Sequence, residues 1–101
     1  MPHFILAYYK GKTPRTSEEA ASHHAKFEAW IRSLGTETLV KTVPLKSSKL
    51  ISKREKLDED DTKRLLGYSI LKADALDTVV RIAKNCPHAE IGAIEVAEIE
   101  R

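Results

Sequence analysis

His23, Phe27, Trp30 and Leu34 follow one another at intervals of four, three and four, which puts an imidazole and two aromatic rings on one face of a helix. An imidazole in such surroundings can bind a small anion or move a proton near neutral pH, where its ordinary pKa lies. His23 is therefore the candidate catalytic residue, and Trp30 is a candidate for stacking on a ligand. The competing assignment makes His23 a core-edge histidine bonded to a carbonyl and Trp30 a packing residue. His24 belongs to the neighbouring stripe with Ala20, Phe27 and Ile31, so spacing leaves open which of the two imidazoles faces a cavity. Consecutive helical positions diverge by about 100 degrees, so the pair is a poor metal motif, and Glu28, four residues beyond His24, reads as its surface hydrogen-bond partner. No metal is expected.

Three further groups could join this chemistry. Tyr8 and Tyr9, adjacent on an early strand, present one inward and one outward phenol, and Tyr8 is a candidate to position a polar ring or carboxylate. His88 follows Pro87, where it either faces a cleft as a substrate-binding group or belongs to an exposed turn. Cys86 reads as an apolar plug behind His88, because no Cys-x-x-Cys pair supports redox chemistry. Lys41, Lys46 and Lys49 are dispersed and no glycine-rich phosphate cradle accompanies them, so no cofactor is expected. Asp58, Glu59, Asp60 and Asp61 read as an extended acidic tip.

The elements that must position these groups are visible in outline. Phe4 to Tyr9 is rich in β-branched and aromatic residues and reads as a strand, ended by Gly11 and Pro14. Thr16 and Glu19 have capping-box spacing, so a helix should follow to about Leu34, with Gly35 closing it in the left-handed conformation. Thr38 to Val43 alternates as a second strand, interrupted by Pro44. Leu50 and Ile51 suggest only a short pairing, and Ser52 to Arg64 is a charged connection. Leu65 to Leu71 reads as a strand, and Asp74 to Asp77 offers an acidic start to a second helix whose stripe is Leu76, Val79, Val80 and Ala83. Ile91 to Ile99 makes the final strand.

This order, βαββαβ, predicts an α+β sandwich with both helices on one face of an antiparallel sheet. The other face remains open, yet Ile94, Val96, Ile99 and both parities of Phe4 to Tyr9 are more apolar than solvent requires. Joining two such faces in a homodimer would bury them.

Length and charge narrow the functional classes. The chain of 101 residues fits one domain with a core sufficient without disulfide or metal staples. Seventeen basic against fifteen acidic residues leave +2, not gathered into a tract, so nucleic acid is not implied. A single cysteine suits a reducing cytoplasm, and the opening Met1 to Tyr9 is too short to span a bilayer and lacks a basic leader, so neither membrane nor export is expected.

Gly67-Tyr68, the aliphatic positions of the second helix, Cys86-Pro87-His88 and Gly92-Ala-Ile-Glu-Val96 together resemble the YCII-related (YciI-like) family. At the other end Tyr8-Tyr9, His23, Phe27, Trp30, Ser33-Leu34-Gly35 and Pro44-Leu45 occur in the order that family has. The resemblance covers nearly the whole chain. It implies a ferredoxin-like fold of the dimeric α+β barrel superfamily, a homodimer, a small-molecule site with a polar residue on the first helix, and no securely shared reaction. Many relatives carry Asp-Gly-Pro-Phe before the strand equivalent to Leu65 to Leu71, where this chain has Arg54-Glu-Lys-Leu-Asp-Glu-Asp-Asp61, so any role of that loop does not transfer.

Two functions follow as expectations. One is a small-molecule enzyme that uses His23, with Tyr8 or His88, for isomerisation, elimination or another proton transfer. The other is a non-catalytic binding or interaction domain whose cavity is filled by its own side chains.

Overall fold

In the computed structural model, described over residues 1–54 and 64–100, strand β1 (His3–Tyr9) leads to helix α1 (Ser17–Thr38) and strand β2 (Leu39–Pro44). Strand β3 (Leu65–Lys72), helix α2 (Leu76–Lys84), a 3-10 helix (Pro87–Glu90) and strand β4 (Ala93–Glu98) complete the order. The sheet order is β2-β3-β1-β4 with every neighbouring pair antiparallel, the ferredoxin-like βαββαβ arrangement. Leu50 and Ile51 form no strand and are exposed, while the acidic residues 58–61 lie outside the described residues.

Alternation in β1 decides which sheet face becomes interior. Phe4, Leu6 and Tyr8 point to the helices and are buried, joined by Leu71 of β3, Val79 and Ala83 of α2, and Cys86. Each large aliphatic or aromatic side chain buried here contributes about 1.5–3 kcal/mol relative to exposure. Phe27, Trp30 and Leu34 of α1 pack against the same cluster, as do Ile94 and Val96 of β4. Both helices therefore cover one face. Ile94 and Val96 belong to that covered face, which corrects the expectation that they add to the open one. The open face takes its apolar character from β1, β2 and β3, through half-buried Ile5, Ala7, Val43, Tyr68 and Ile70.

The capping box forms with one change. Thr16 Oγ1 accepts from the Glu19 amide at 3.0 Å, but the Glu19 carboxylate accepts at 2.8 Å from the amide of Arg15, one residue before the cap. At the other end α1 passes into β2 with no intervening loop. Gly35 takes φ 72°, and the Leu39 amide donates to its carbonyl oxygen. A Cβ at Gly35 would meet nothing within 4 Å, so the need for glycine there lies in the dihedral alone. Helix α2 starts from Ala75 with no side-chain cap. Asp74 therefore does not open it, and Leu76 is exposed, leaving Val79 and Ala83 as its buried residues.

The last strand is shorter than its hydrophobic run suggests. Pro87, with its fixed φ, starts a 3-10 turn that carries His88 before Ile91 and Gly92 bend into β4. No helix among the described residues is long and apolar enough to cross a membrane.

Candidate functional site

Helix α1 has no fully buried residue, unlike α2, and its N-terminal half leans over the β2–β3 edge of the sheet without closing on it. The gap is an open cavity of about 470 Å³, within the range of small-ligand sites. Ala20, His23 and Phe27 form one wall, Thr42, Val43 and Pro44 the opposite one, and Tyr8 and His88 also line it. Most of the lining is apolar, so its few polar atoms decide what can bind and in which orientation.

Both imidazoles of the adjacent pair touch this cavity, which resolves the choice between them differently from either expectation. His24 is exposed, with Nε2 3.5 Å from a Glu28 oxygen, a surface pairing. His23 is half-buried, and its ring lies 6.2 Å from that of His88, centroid to centroid. Burial first, then the neighbouring His88 and Lys26, outweighs the pull of Glu90 and holds the His23 imidazole below the usual histidine value of 6.5. A histidine so placed is neutral at pH 7 and available to accept a proton.

His88 is buried, which excludes the exposed-turn alternative. Its Nε2 donates to the carbonyl oxygen of Tyr9 at 2.7 Å. Since a carbonyl only accepts, Nε2 carries the proton in this arrangement. The bond ties the 3-10 helix to the end of β1 and sets the ring edge-on to Tyr8, 5.7 Å between centroids. Gly92 makes room for it, because a Cβ there would lie 2.7 Å from His88 Nε2 and 2.6 Å from the Tyr9 carbonyl oxygen.

Tyr8 faces inward and Tyr9 outward, where the Tyr9 hydroxyl donates to Glu95. The Tyr8 ring meets Phe27 edge-to-face at 5.3 Å, and its hydroxyl lies 2.7 Å from Ser69 Oγ, which in turn contacts Thr42 Oγ1. Burial pushes the Tyr8 phenol up to about 12, so it stays protonated throughout the neutral range. The hydroxyls of Ser69 and Thr42 were not among the sequence candidates. Trp30 is not part of the cavity lining and packs on Phe27 at 5.7 Å, one layer behind the wall. Cys86 is also behind it, and burial pushes its thiol up to about 11, leaving it protonated and unreactive at neutral pH. Among the described residues no three His, Cys, Asp or Glu side chains gather as metal ligands.

An antiparallel ferredoxin-like sheet, two helices on one face and an open cavity under the first of them define an α+β domain of ferredoxin-like fold with a candidate small-molecule site. The chain belongs to the YCII-related domain family, whose profile matches residues 1–101. It is similar in fold to the 5-chloro-2-hydroxyhydroquinone dehydrochlorinase TftG of Burkholderia phenoliruptrix AC1100, solved with 2,5-dihydroxybenzoquinone. That likeness has a TM-score of 0.64 and 16% sequence identity, over 98% of this chain and 94% of the other. A weaker likeness, TM-score 0.44 at 9% identity over 100% of this chain and 95% of the other, links it to At3g17210 of Arabidopsis thaliana. A comparison with curated proteins finds no match.

Proposed function

We propose that this protein is a small-molecule proton-transfer enzyme, acting as a homodimer, with His23 as the proton-accepting and proton-returning group. The observation that carries the reading is the convergence of a neutral imidazole and a protonated phenol on one apolar-walled cavity. Tyr8 and His88 orient the substrate, and Trp30 supports Phe27 from behind. Apolar walls strengthen each polar contact inside and favour a small, flat ligand over a charged polymer.

The test uses 2,5-dihydroxybenzoquinone, the ring bound by the solved dehydrochlorinase, as a first probe. Binding followed by protein-dependent uptake of deuterium from D2O at a ring carbon is expected. Binding with deuterium uptake no faster than without protein would replace the enzyme by the second reading, a ligand-binding domain without catalysis. The mainly apolar lining is what favours that alternative.

The homodimer reading rests on the open sheet face. Ile5 pairs with Ile70 across β1 and β3, and Ala7 with Tyr68, leaving an apolar patch on the side away from both helices. Light scattering at micromolar concentration should report twice the mass of one chain, and Ile70→Asp should halve that mass with the circular dichroism spectrum retained. A parent protein with the mass of one chain at that concentration would remove the dimer from this reading.

A further inference from the structure

Ser69 is a polar side chain with no solvent exposure, placed on β3 between the Tyr8 hydroxyl of β1 and the Thr42 hydroxyl of β2. Three hydroxyls linked by two hydrogen bonds carry three protons. If both neighbours donated to Ser69, its own proton would be buried without an acceptor, at a cost of about 1–3 kcal/mol. Ser69 therefore accepts from one neighbour and donates to the other, so the chain has a direction. In one direction the spare proton sits on Thr42, at the exposed rim of the cavity. In the other it sits on Tyr8 and is free to donate to a ligand.

We propose that Tyr8, Ser69 and Thr42 form a reversible hydroxyl chain that recognises a ligand oxygen which gains negative charge, so that the substrates are carbonyl compounds passing through an enolate or phenolate form. The inference deepens the proton-transfer reading and rests on it for the chemistry. When His23 takes a proton from a carbon next to the carbonyl, the C–H bonding pair becomes part of a C=C bond. The carbonyl π pair moves onto oxygen, and the proton resides on His23. The chain then runs from Thr42 through Ser69 to Tyr8, and the phenol donates to the new oxyanion without losing its proton. Return of the proton from His23 to the same carbon reverses each change, and its return to the far carbon of a conjugated dienolate restores the carbonyl while the C=C bond shifts by one position. Ser69 and Thr42 are positioning residues: they act through Tyr8, and each added link polarises the next.

The test uses the whole chain with 4-nitrophenol, whose ionised form absorbs visible light, and nitrobenzene, a similar ring without the hydroxyl. The parent should bind both, and bound 4-nitrophenol should ionise about one pH unit below the free compound, a tenfold preference for the phenolate. Tyr8→Phe should abolish that preference and leave nitrobenzene affinity unchanged. Ser69→Ala should reduce it by roughly threefold or more, the worth of one hydrogen bond. Thr42→Val, at an exposed position that perturbs folding least, should fall between parent and Ser69→Ala. Identical titration of bound 4-nitrophenol in the parent, Tyr8→Phe and Thr42→Val overturns the proposal, and so does a parent that binds neither ring at millimolar concentration. The titration needs no turnover, so it fails independently of the deuterium-uptake test of the enzyme reading.

Discussion

His23→Ala is expected to lower carbon-bound deuterium uptake by about 100- to 10,000-fold, the range over which a positioned acid–base group acts, with the circular dichroism spectrum and mass of the parent retained. Folding should survive because the residue is half-buried and forms none of the described hydrogen bonds that hold elements together. In the parent, activity should level off on the alkaline side of the His23 titration and fall on the acid side, about tenfold per unit once the imidazole is mostly protonated. The midpoint of that fall lies below 6.5, because burial and His88 disfavour the imidazolium form. The same depression links to folding: below pH 6.5 the unfolded chain takes up this proton before the folded one, so stability declines with acid. An acid limb unchanged in His23→Ala would assign the titrating group elsewhere.

Gly92→Ala is expected to disturb the site strongly through one added methyl group. The new Cβ would enter the His88–Tyr9 hydrogen bond, at 2.7 Å from the ring nitrogen and 2.6 Å from the carbonyl oxygen, and one of them must move. A displaced His88 leaves the Tyr9 carbonyl without this donor and turns the 3-10 helix away from β1. Overpacking and the lost bond together should cost about 2–4 kcal/mol, read as a lower midpoint in urea denaturation. Ligand binding should weaken with it, because His88 lines the cavity that His23 shares. A midpoint within experimental error of the parent would mean that the turn relaxes freely, and the anchoring role of His88 would be lost.

What could be read in the residues, and what could not, divides by the range of the interactions. The α1 start was legible because Thr16 and Glu19 act within one turn, and the inward parity of β1 followed from its own alternation. The cavity lining is legible at His23 and Tyr8, whose surroundings are partly local. Trp30 shares the face of His23 but stands nearly a turn beyond Phe27, where the wall formed by Ala20, His23 and Phe27 has ended. The burial of His88 depends on a carbonyl 79 positions earlier in the chain, so no local pattern announces it. Ser69 carries a local signal: it falls between Gly67 and Leu71 on the inward parity of β3, and a hydroxyl there demands partners.

The direct passage of α1 into β2 makes Gly35 the pivot of a caliper. One jaw is the helix bearing His23 and Phe27, the other the strand bearing Thr42 and Pro44, and the proposed ligand would be gauged between them. Inserting one residue between His23 and the pivot would rotate the imidazole about 100 degrees around the helix and swing it out of the gap. Chain length in this segment is therefore not a usable variable for a lineage or an engineer seeking a wider or narrower substrate. The gauge can be reset only by changing the bulk of the facing side chains, Ala20 on the helix and Thr42 and Pro44 on the strand.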